Sequence, residues 1–388
     1  MITTEAWVLH RGTKSGEQEQ SATGGLRREL FEIPDISDGE VLAEPIFGCW
    51  EGNMSHAVQR NPIDICELRG EDKIIIGNSG VVRVLKTGKD VKTLQQGDLC
   101  ILVGTAVRDR FGYMKKAPGY DAPNTYGNLA KLTKYPATDL ALIPKNTKHS
   151  LQQWASFSLR YITAWANWET AYGCFRTMLS EEEYPSPFVW GWGGGCTLAE
   201  LELAKAFGCR PAMIASHDDR LSLIERAGIE PIDRRGFKHL DFNEKKYRAD
   251  PEFKQAYDND EQSFLSTVRE KTDGAGVSIF IDYIGSAVVR ATLKALGSPG
   301  VITTAGWKSG MSVSTVRAIE CINWHIHVHT HYARDTQIPR AIQYGEENGW
   351  MPEVESKIYA WDEISTLAKE YGEGKVSSYF PVYQVNSI

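Results

Sequence analysis

Residues 187–208, PFVWGWGGGCTLAELELAKAFG, constrain the fold of this chain more than any other stretch. Phe188, Val189 and Trp190 form an apolar run that reads as a short buried strand. It breaks into Gly191, Gly193, Gly194 and Gly195, after which Leu198, Leu201, Leu203, Ala204 and Phe207 recur in a helical pattern. Glycines at such a junction permit a tight turn and a close approach of backbone to ligand. The helix start, in turn, offers unpaired N–H groups to an anion. Strand, glycine turn and helix in this order open a dinucleotide-binding unit, which puts Gly191, Gly193, Gly194, Gly195, Cys196 and Thr197 at the expected cofactor turn. The spacing is irregular: Cys196 ends the pattern G-x-G-x-x-G counted from Gly191, and Thr197 ends the longer form. The following residues sustain the reading. Residues 211–215, 277–282 (VSIFID) and 300–305 (GVITTA) are further short apolar strands, and 288–296 is an amphipathic run between the last two. Strands alternating with helices call for an α/β fold with a parallel, doubly wound sheet.

A chain of 388 residues accommodates two domains, and its 42% hydrophobic and 24% charged content is that of an ordinary globular protein. A net charge of −7 argues against nucleic acid as a partner. No apolar run reaches membrane-spanning length and the N-terminus lacks a signal-peptide layout, so the expected setting is cytoplasmic, without a membrane partner. Seven scattered cysteines with no C-x-x-C fit a reducing compartment and supply no cysteine zinc cluster.

Along the chain, residues 3–10 read as a first strand and the polar, glycine-bearing residues 11–30 as a surface insertion. Short strands at 41–44, 74–76, 80–85, 99–103 and 140–144, without helices between them, suggest an antiparallel barrel. The pattern turns helical from Leu151. Residues 236–262 are strongly charged and read as a solvated excursion from the sheet edge, ahead of a helix at 263–271. A helix at 335–348 and a tail with a strand, a helix near Asp362 and a last strand at 379–382 complete the order. The expected division is 1–163, with 333–388 returning to it, and 164–332.

Three stretches carry a family resemblance: DISDGEVLAEP (35–45), GVVRVLKTGKDVKTLQQGDLCIL (80–102), and IDYIG with Asp282 and Gly285. Together with the element order they resemble the medium-chain dehydrogenase/reductase superfamily, which implies a GroES-like β-barrel catalytic domain plus a Rossmann cofactor domain. Asp282 and Gly285 would then lie at the cofactor. PGYDAPNTYGNLAKL (118–132), the charged 236–262 segment and KIYAWDEISTLAKEYGEGKVSSY (357–379) resemble the crotonyl-CoA reductase/carboxylase branch.

The resemblance also bears on chemistry. Where zinc-dependent members hold their ligands, this chain has Trp50, Gly77-Asn78-Ser79 and Leu159-Arg160, so no metal is expected. Zinc-free members mostly reduce activated C=C bonds, with a thioester or ketone carbonyl carrying the developing enolate charge. The second strand of the nucleotide unit ends Ala215-Ser216-His217, and Arg220 follows. A hydroxyl plus a guanidinium suits a 2′-phosphate, so Ser216, His217 and Arg220 point to NADPH, with Asp218 and Asp219 expected to face outward. Candidates for handling the proton are Glu51, Asn53 and His56 in the early barrel loop, with Tyr161 further along.

WHIHVHTHY (324–332) alternates four histidines, which a strand would place on one face. A metal site is one reading of that stripe; the other is a last sheet strand facing a cleft or a partner subunit. In the resembling branch the position matching His331 lies beside the active site, which makes His331 a catalytic candidate. Trp50 and Lys131 stand where the branch has the Asn and Glu needed for carboxylation. The resulting expectation is an NADPH-dependent, zinc-independent reductase of an α,β-unsaturated thioester or carbonyl, its substrate on CoA or acyl carrier protein, assembled as a homodimer or dimer of dimers. Reductive carboxylation and a non-catalytic, cofactor-binding role are the alternatives.

Overall fold

A computed structural model describes residues 1–12, 25–61, 63–103, 106–305, 326–330 and 333–388. The chain forms two compact units, one made of Met1–Ile162 with Arg334–Ile388 and the other of Thr163–Ala333.

The second unit is built on a six-stranded parallel sheet. In spatial order its strands are Glu230–Asp233, Arg210–Ala215, Phe188–Trp192, Val277–Asp282, Leu296–Thr304 and Ile326–Thr330. Numbered along the chain this is 3-2-1-4-5-6, the doubly wound order. Every residue of Phe188–Trp192 and of Val277–Asp282 is buried, as strands covered on both faces must be, and this is why both read as continuous apolar runs. The chain reverses its direction of growth at Phe188–Trp192, and the glycine turn leaves the carboxyl end of that strand. Glu230–Asp233 was not foreseen, because only Ile232 among its four residues is buried.

Residues 236–262 are not a solvated excursion. They fold into the helix Glu244–Ala249 and the first half of the helix Pro251–Lys271, which Asp250 caps by accepting from the N–H groups of Glu252 and Phe253. Phe237, Leu240, Tyr257 and Phe264 enter the same apolar cluster as Trp190, Trp192 and Phe280. The guanidinium of Arg290 lies 5.1, 4.6 and 5.4 Å from the rings of Phe242, Tyr247 and Tyr257, and its Nε is 3.1 Å from Glu261. A few well-spaced aromatic residues anchor the segment despite its charge.

The first unit is mainly antiparallel. The strand Glu40–Cys49 pairs with Gly80–Thr87, Thr133–Pro136 and Val382–Gln384 within a seven-stranded sheet. A three-stranded sheet joins Ile2–His10, Leu26–Ile33 and Lys73–Ile75. Two expectations are corrected here. The end of the supposed 11–30 insertion is a strand, Leu26–Ile33, pairing with the first strand from Ile2↔Ile33 to Leu9↔Leu26; residues 13–24 lie outside the described residues. The early barrel loop also holds two helices, Gly52–Gln59 and Ile65–Arg69. Met54, Ala57 and Val58 bury one face of the former, and Asp64 caps the latter through the N–H groups of Cys66 and Glu67. The last strand is Val382–Gln384, three residues beyond the expected start. Among the described residues no helix is long and apolar enough to cross a membrane.

Candidate functional site

The glycine turn is shaped by what stands behind it. A Cβ on Gly191 would lie 2.6 Å from Thr197 Cγ2, and one on Gly193 would lie 2.2 Å from Thr197 Oγ1 and 2.9 Å from Tyr283 Cβ. These two glycines let the strand and the helix Gly195–Ala206 pack closely. Gly194 instead faces open space, with no atom within 4 Å of its would-be Cβ. The helix begins there with no side-chain cap and no acidic residue in its first turn, so the N–H groups at Gly195, Cys196 and Thr197 present positive potential to that space. The Thr197 hydroxyl is wholly buried and, among the described residues, has no hydrogen-bond partner. A cradle of open backbone at a helix start fits a diphosphate.

Behind the turn lies a polar group that the sequence did not disclose. The Tyr283 hydroxyl donates to Glu200 Oε1 and accepts from Asn167 Nδ2 at 2.8 Å. Glu200 is fully buried, its other oxygen has no partner among the described residues, and burial drives its carboxyl well above the usual range. Asp282 is used internally. Its Oδ1 accepts from the N–H groups of Ile284 and Gly285 at 2.9 Å each, and its Oδ2 accepts from the Thr292 hydroxyl at 3.0 Å. Gly285 takes φ 92° in the same turn, where a side chain would be strained. Asp282 and Gly285 therefore brace the loop that carries Tyr283.

At the end of Arg210–Ala215, Ser216, His217, Asp218 and Asp219 are exposed and Arg220 is half-buried. Asp218, expected to face outward, is exposed and ion-paired with Arg235 at 2.7 Å. Nothing in the sequence singled out Arg235.

In the first unit one of the early-loop candidates, Glu51, meets a buried guanidinium. Glu51 directly precedes the helix Gly52–Gln59 but does not cap it; its carboxylate turns inward to Arg160 Nε at 3.0 Å. Arg160 also donates from Nη1 to Cys49 Sγ and from Nη2 to the Trp50 carbonyl, both at 2.7 Å. Burial raises the Glu51 carboxyl and Arg160 opposes that rise, while burial pushes the Cys49 thiol up to about 12. Glu51 Oε1 has no partner among the described residues. Asn53 Nδ2 donates to Asn78 Oδ1 at 3.2 Å. His56 is half-buried on the same helix. Trp50 is buried and donates to Ser55 Oγ at 2.9 Å.

Asn128, from the aromatic-glycine stretch, donates to the Ser79 carbonyl at 2.6 Å and accepts from the Tyr383 hydroxyl at 2.7 Å. Gly77, at φ 112°, makes room for it, since a Cβ there would lie 2.0 Å from Asn128 Oδ1. Tyr161 belongs to the core, with its ring centroid 5.3 Å from that of Phe157 and 4.6 Å from that of Trp350. Lys131 donates to the Val385 carbonyl and lies 4.6 Å from the Trp361 ring. The strand Ile326–Thr330 pairs with Leu296–Thr304, but His325, His331 and Tyr332 lie outside the described residues.

No protein-family model matches the chain. A curated crotonyl-CoA reductase from Streptomyces avermitilis is 23% identical over 245 residues, covering 61% of this chain and 52% of the relative, about half its length. Among solved structures, the crotonyl-CoA carboxylase/reductase AntE in complex with NADP superposes with a TM-score of 0.79 at 18% identity, covering 99% of this chain and 95% of that one. The 2-octenoyl-CoA carboxylase reductase CinF, in complex with NADP and 2-octenoyl-CoA, gives 0.80 at 16% identity, with coverages of 98% and 87%. An alcohol dehydrogenase from the archaeon Aeropyrum pernix gives 0.75 at 22% identity, with coverages of 98% and 100%. The fold is that of the medium-chain dehydrogenase/reductase superfamily. Against that superfamily's zinc pattern, two of the positions noted from the sequence are bonded to each other here, Arg160 holding the Trp50 carbonyl, while the hydroxyl of Ser79 meets that of Ser158 at 3.1 Å. A guanidinium, an indole and a carboxamide are not among the thiolate, imidazole and carboxylate groups that hold a zinc ion.

Proposed function

We propose that the chain is an NADPH-dependent, zinc-independent reductase of an α,β-unsaturated thioester or carbonyl. The observation that carries the reading is Arg160. A fixed cation, already bonded to Glu51, Cys49 and the Trp50 carbonyl, lies with Leu159 near the slot that the family resemblance gives to a zinc-binding cysteine. With no Lewis acid to stabilise an alkoxide, alcohol oxidation is disfavoured and conjugate reduction is favoured. The relatives named for enoyl-CoA substrates, two of them with structures in complex with NADP, support the same choice.

NADPH, when bound, supplies a hydride to one alkene carbon. The N–H groups from Gly195 to Thr197 would hold its diphosphate, and Ser216, His217 and Arg220 its ribose phosphate. The second alkene carbon takes a proton, for which Glu51, Asn53 and His56 are the candidates in the barrel unit. Glu51 retains a proton to higher pH than an ordinary carboxyl, and its unpartnered oxygen is Oε1. Lys131 is committed to Val385 and Trp361, which speaks for plain reduction over carboxylation.

The test is NADPH oxidation against a panel of enoyl thioesters, with and without bicarbonate and with and without a chelator. Turnover unaffected by both additions, with a product two hydrogens heavier than substrate, is expected. No turnover on any thioester, loss of activity in chelator, or a product heavier by a carboxyl group would each refute the corresponding part.

A further inference from the structure

We propose that Arg235 sets the dinucleotide preference by withdrawing Asp218 from the ribose position. This inference rests on the reading that the glycine-turn site takes NADPH. In a doubly wound sheet an acid just past the second strand accepts hydrogen bonds from the adenosine ribose hydroxyls, and the same acid repels a 2′-phosphate. Asp218 is such an acid. It follows Ser216 and His217 directly and is the first residue of the helix Asp218–Arg226. Left alone it would favour NADH and oppose what Ser216 and Arg220 offer.

The sheet register supplies the remedy. Ala215, the last residue of the second strand, pairs with Asp233, the last residue of the third. Two residues on, Arg235 folds back along this edge. Its Nε lies 2.9 Å from both Asp233 oxygens and its Nη2 lies 2.7 Å from Asp233 Oδ2, while its own N–H donates to Asp233 Oδ1 at 2.8 Å. A planar guanidinium held this way has little freedom left. The same Nη2 reaches Asp218 Oδ1 at 2.7 Å. Asp233 is thus the anchor, Arg235 the arm and Asp218 the group it occupies.

This is not chiefly a stabilising pair. The Arg235 side chain is 54% exposed and that of Asp218 80%, and exposed ion pairs contribute little to folding. Its effect falls on the charge an incoming phosphate meets. Around that point Asp219 is exposed, Arg220 is half-buried, and Arg234 is turned away to the Leu240 carbonyl at 3.3 Å. Arg235 is therefore a specificity-determining residue that acts through Asp218.

Binding of NADPH and of NADH to the full chain, titrated by nucleotide fluorescence, tests this on the unmutated protein, Arg235→Ala, Asp218→Asn and the double variant. Arg235→Ala is expected to weaken NADPH and strengthen NADH, lowering the preference on the order of tenfold, and less in high salt. Asp218→Asn added to Arg235→Ala is expected to restore the preference. A purely structural role would weaken both nucleotides equally in Arg235→Ala, and that result would overturn the inference while leaving the NADPH reading intact. An unchanged preference in Arg235→Ala would do the same. Equal affinity for the two nucleotides in the unmutated protein would overturn the NADPH reading and this inference with it. Should Arg235→Ala fail to fold, Arg235→Gln is read by the same criteria.

Discussion

Each unit of the molecule buries a carboxyl group beside its candidate site residues, and the two do so in different ways. Glu51, in the barrel unit, meets the guanidinium of Arg160 at 3.0 Å, and that cation is itself held by Cys49 and the Trp50 carbonyl. Glu200, behind the glycine turn, meets neutral partners among the described residues, the Tyr283 hydroxyl and Asn167. Burial raises both carboxyls, but only Glu51 has a cation pulling it back. One carboxyl has its rise opposed by a neighbouring guanidinium, and the other has it opposed only by neutral hydrogen-bond donors. The first arrangement fails if its partner is removed; the second is sensitive to pH.

The largest expected effect follows from breaking the pair. Arg160→Ala leaves Glu51 buried without its cation and should destabilise the barrel unit by about 3–5 kcal/mol in denaturant titration. The double variant Arg160→Met with Glu51→Gln should recover most of that loss. A loss under about 1 kcal/mol in Arg160→Ala would mean that the pair is not what holds Glu51 in place.

The next effect is a slope rather than a step. A carboxyl whose folded pKa lies above its unfolded value of roughly 4.3 contributes stability that is complete below that value and declines as pH rises toward the folded one. Glu200→Gln removes this decline. Its stability relative to the unmutated protein should therefore climb as pH rises above about 4.3, by up to about 1.4 kcal/mol per pH unit. Glu51→Gln should show a climb that levels off at lower pH, because Arg160 offsets part of the rise and so narrows the window. Climbs that level off at the same pH, measured by chemical denaturation between acid and neutral pH, would erase the distinction between the two sites.

Smaller still, Tyr283→Phe removes the donor to Glu200 Oε1 and should cost about 1–3 kcal/mol, with the loss growing as pH rises. The smallest change expected is at Thr197. Its buried hydroxyl has no partner among the described residues, so Thr197→Val should shift stability by less than about 1 kcal/mol.

How much of this was legible depended on where each signal sits. The parallel sheet was readable because strands such as Val277–Asp282 are buried on both faces and appear as unbroken apolar runs. Leu26–Ile33 was not, since only Leu26 and Ile33 are buried and Leu30 is exposed. The helix Gly52–Gln59 opens on a glycine, with the preceding Glu51 turned inward, so it lacks the usual capping signature. At the sites, the glycine turn could be read from a few consecutive residues. Glu51 with Arg160, Glu200 with Tyr283, and Asp218 with Arg235 could not, because each pair joins different elements. The sequence does identify Arg160 as unsuited to bind metal, but not the partner it takes instead.

The pairing of Cys49 with Val382 and of Phe47 with Gln384 has a consequence for biosynthesis. The nucleotide unit is one continuous stretch, Thr163–Ala333, so all its strands leave the ribosome in a single succession. The barrel unit is begun first and finished last. The strand Glu40–Cys49 acquires Gly80–Thr87 on one side early, but near Phe47 its other side stays open until residue 384 has been made. Through most of translation this apolar segment is an uncovered strand edge, the kind of surface that pairs with other nascent chains. The need for chaperone cover thus falls on the strand Glu40–Cys49 for as long as Val382–Gln384 has still to be made.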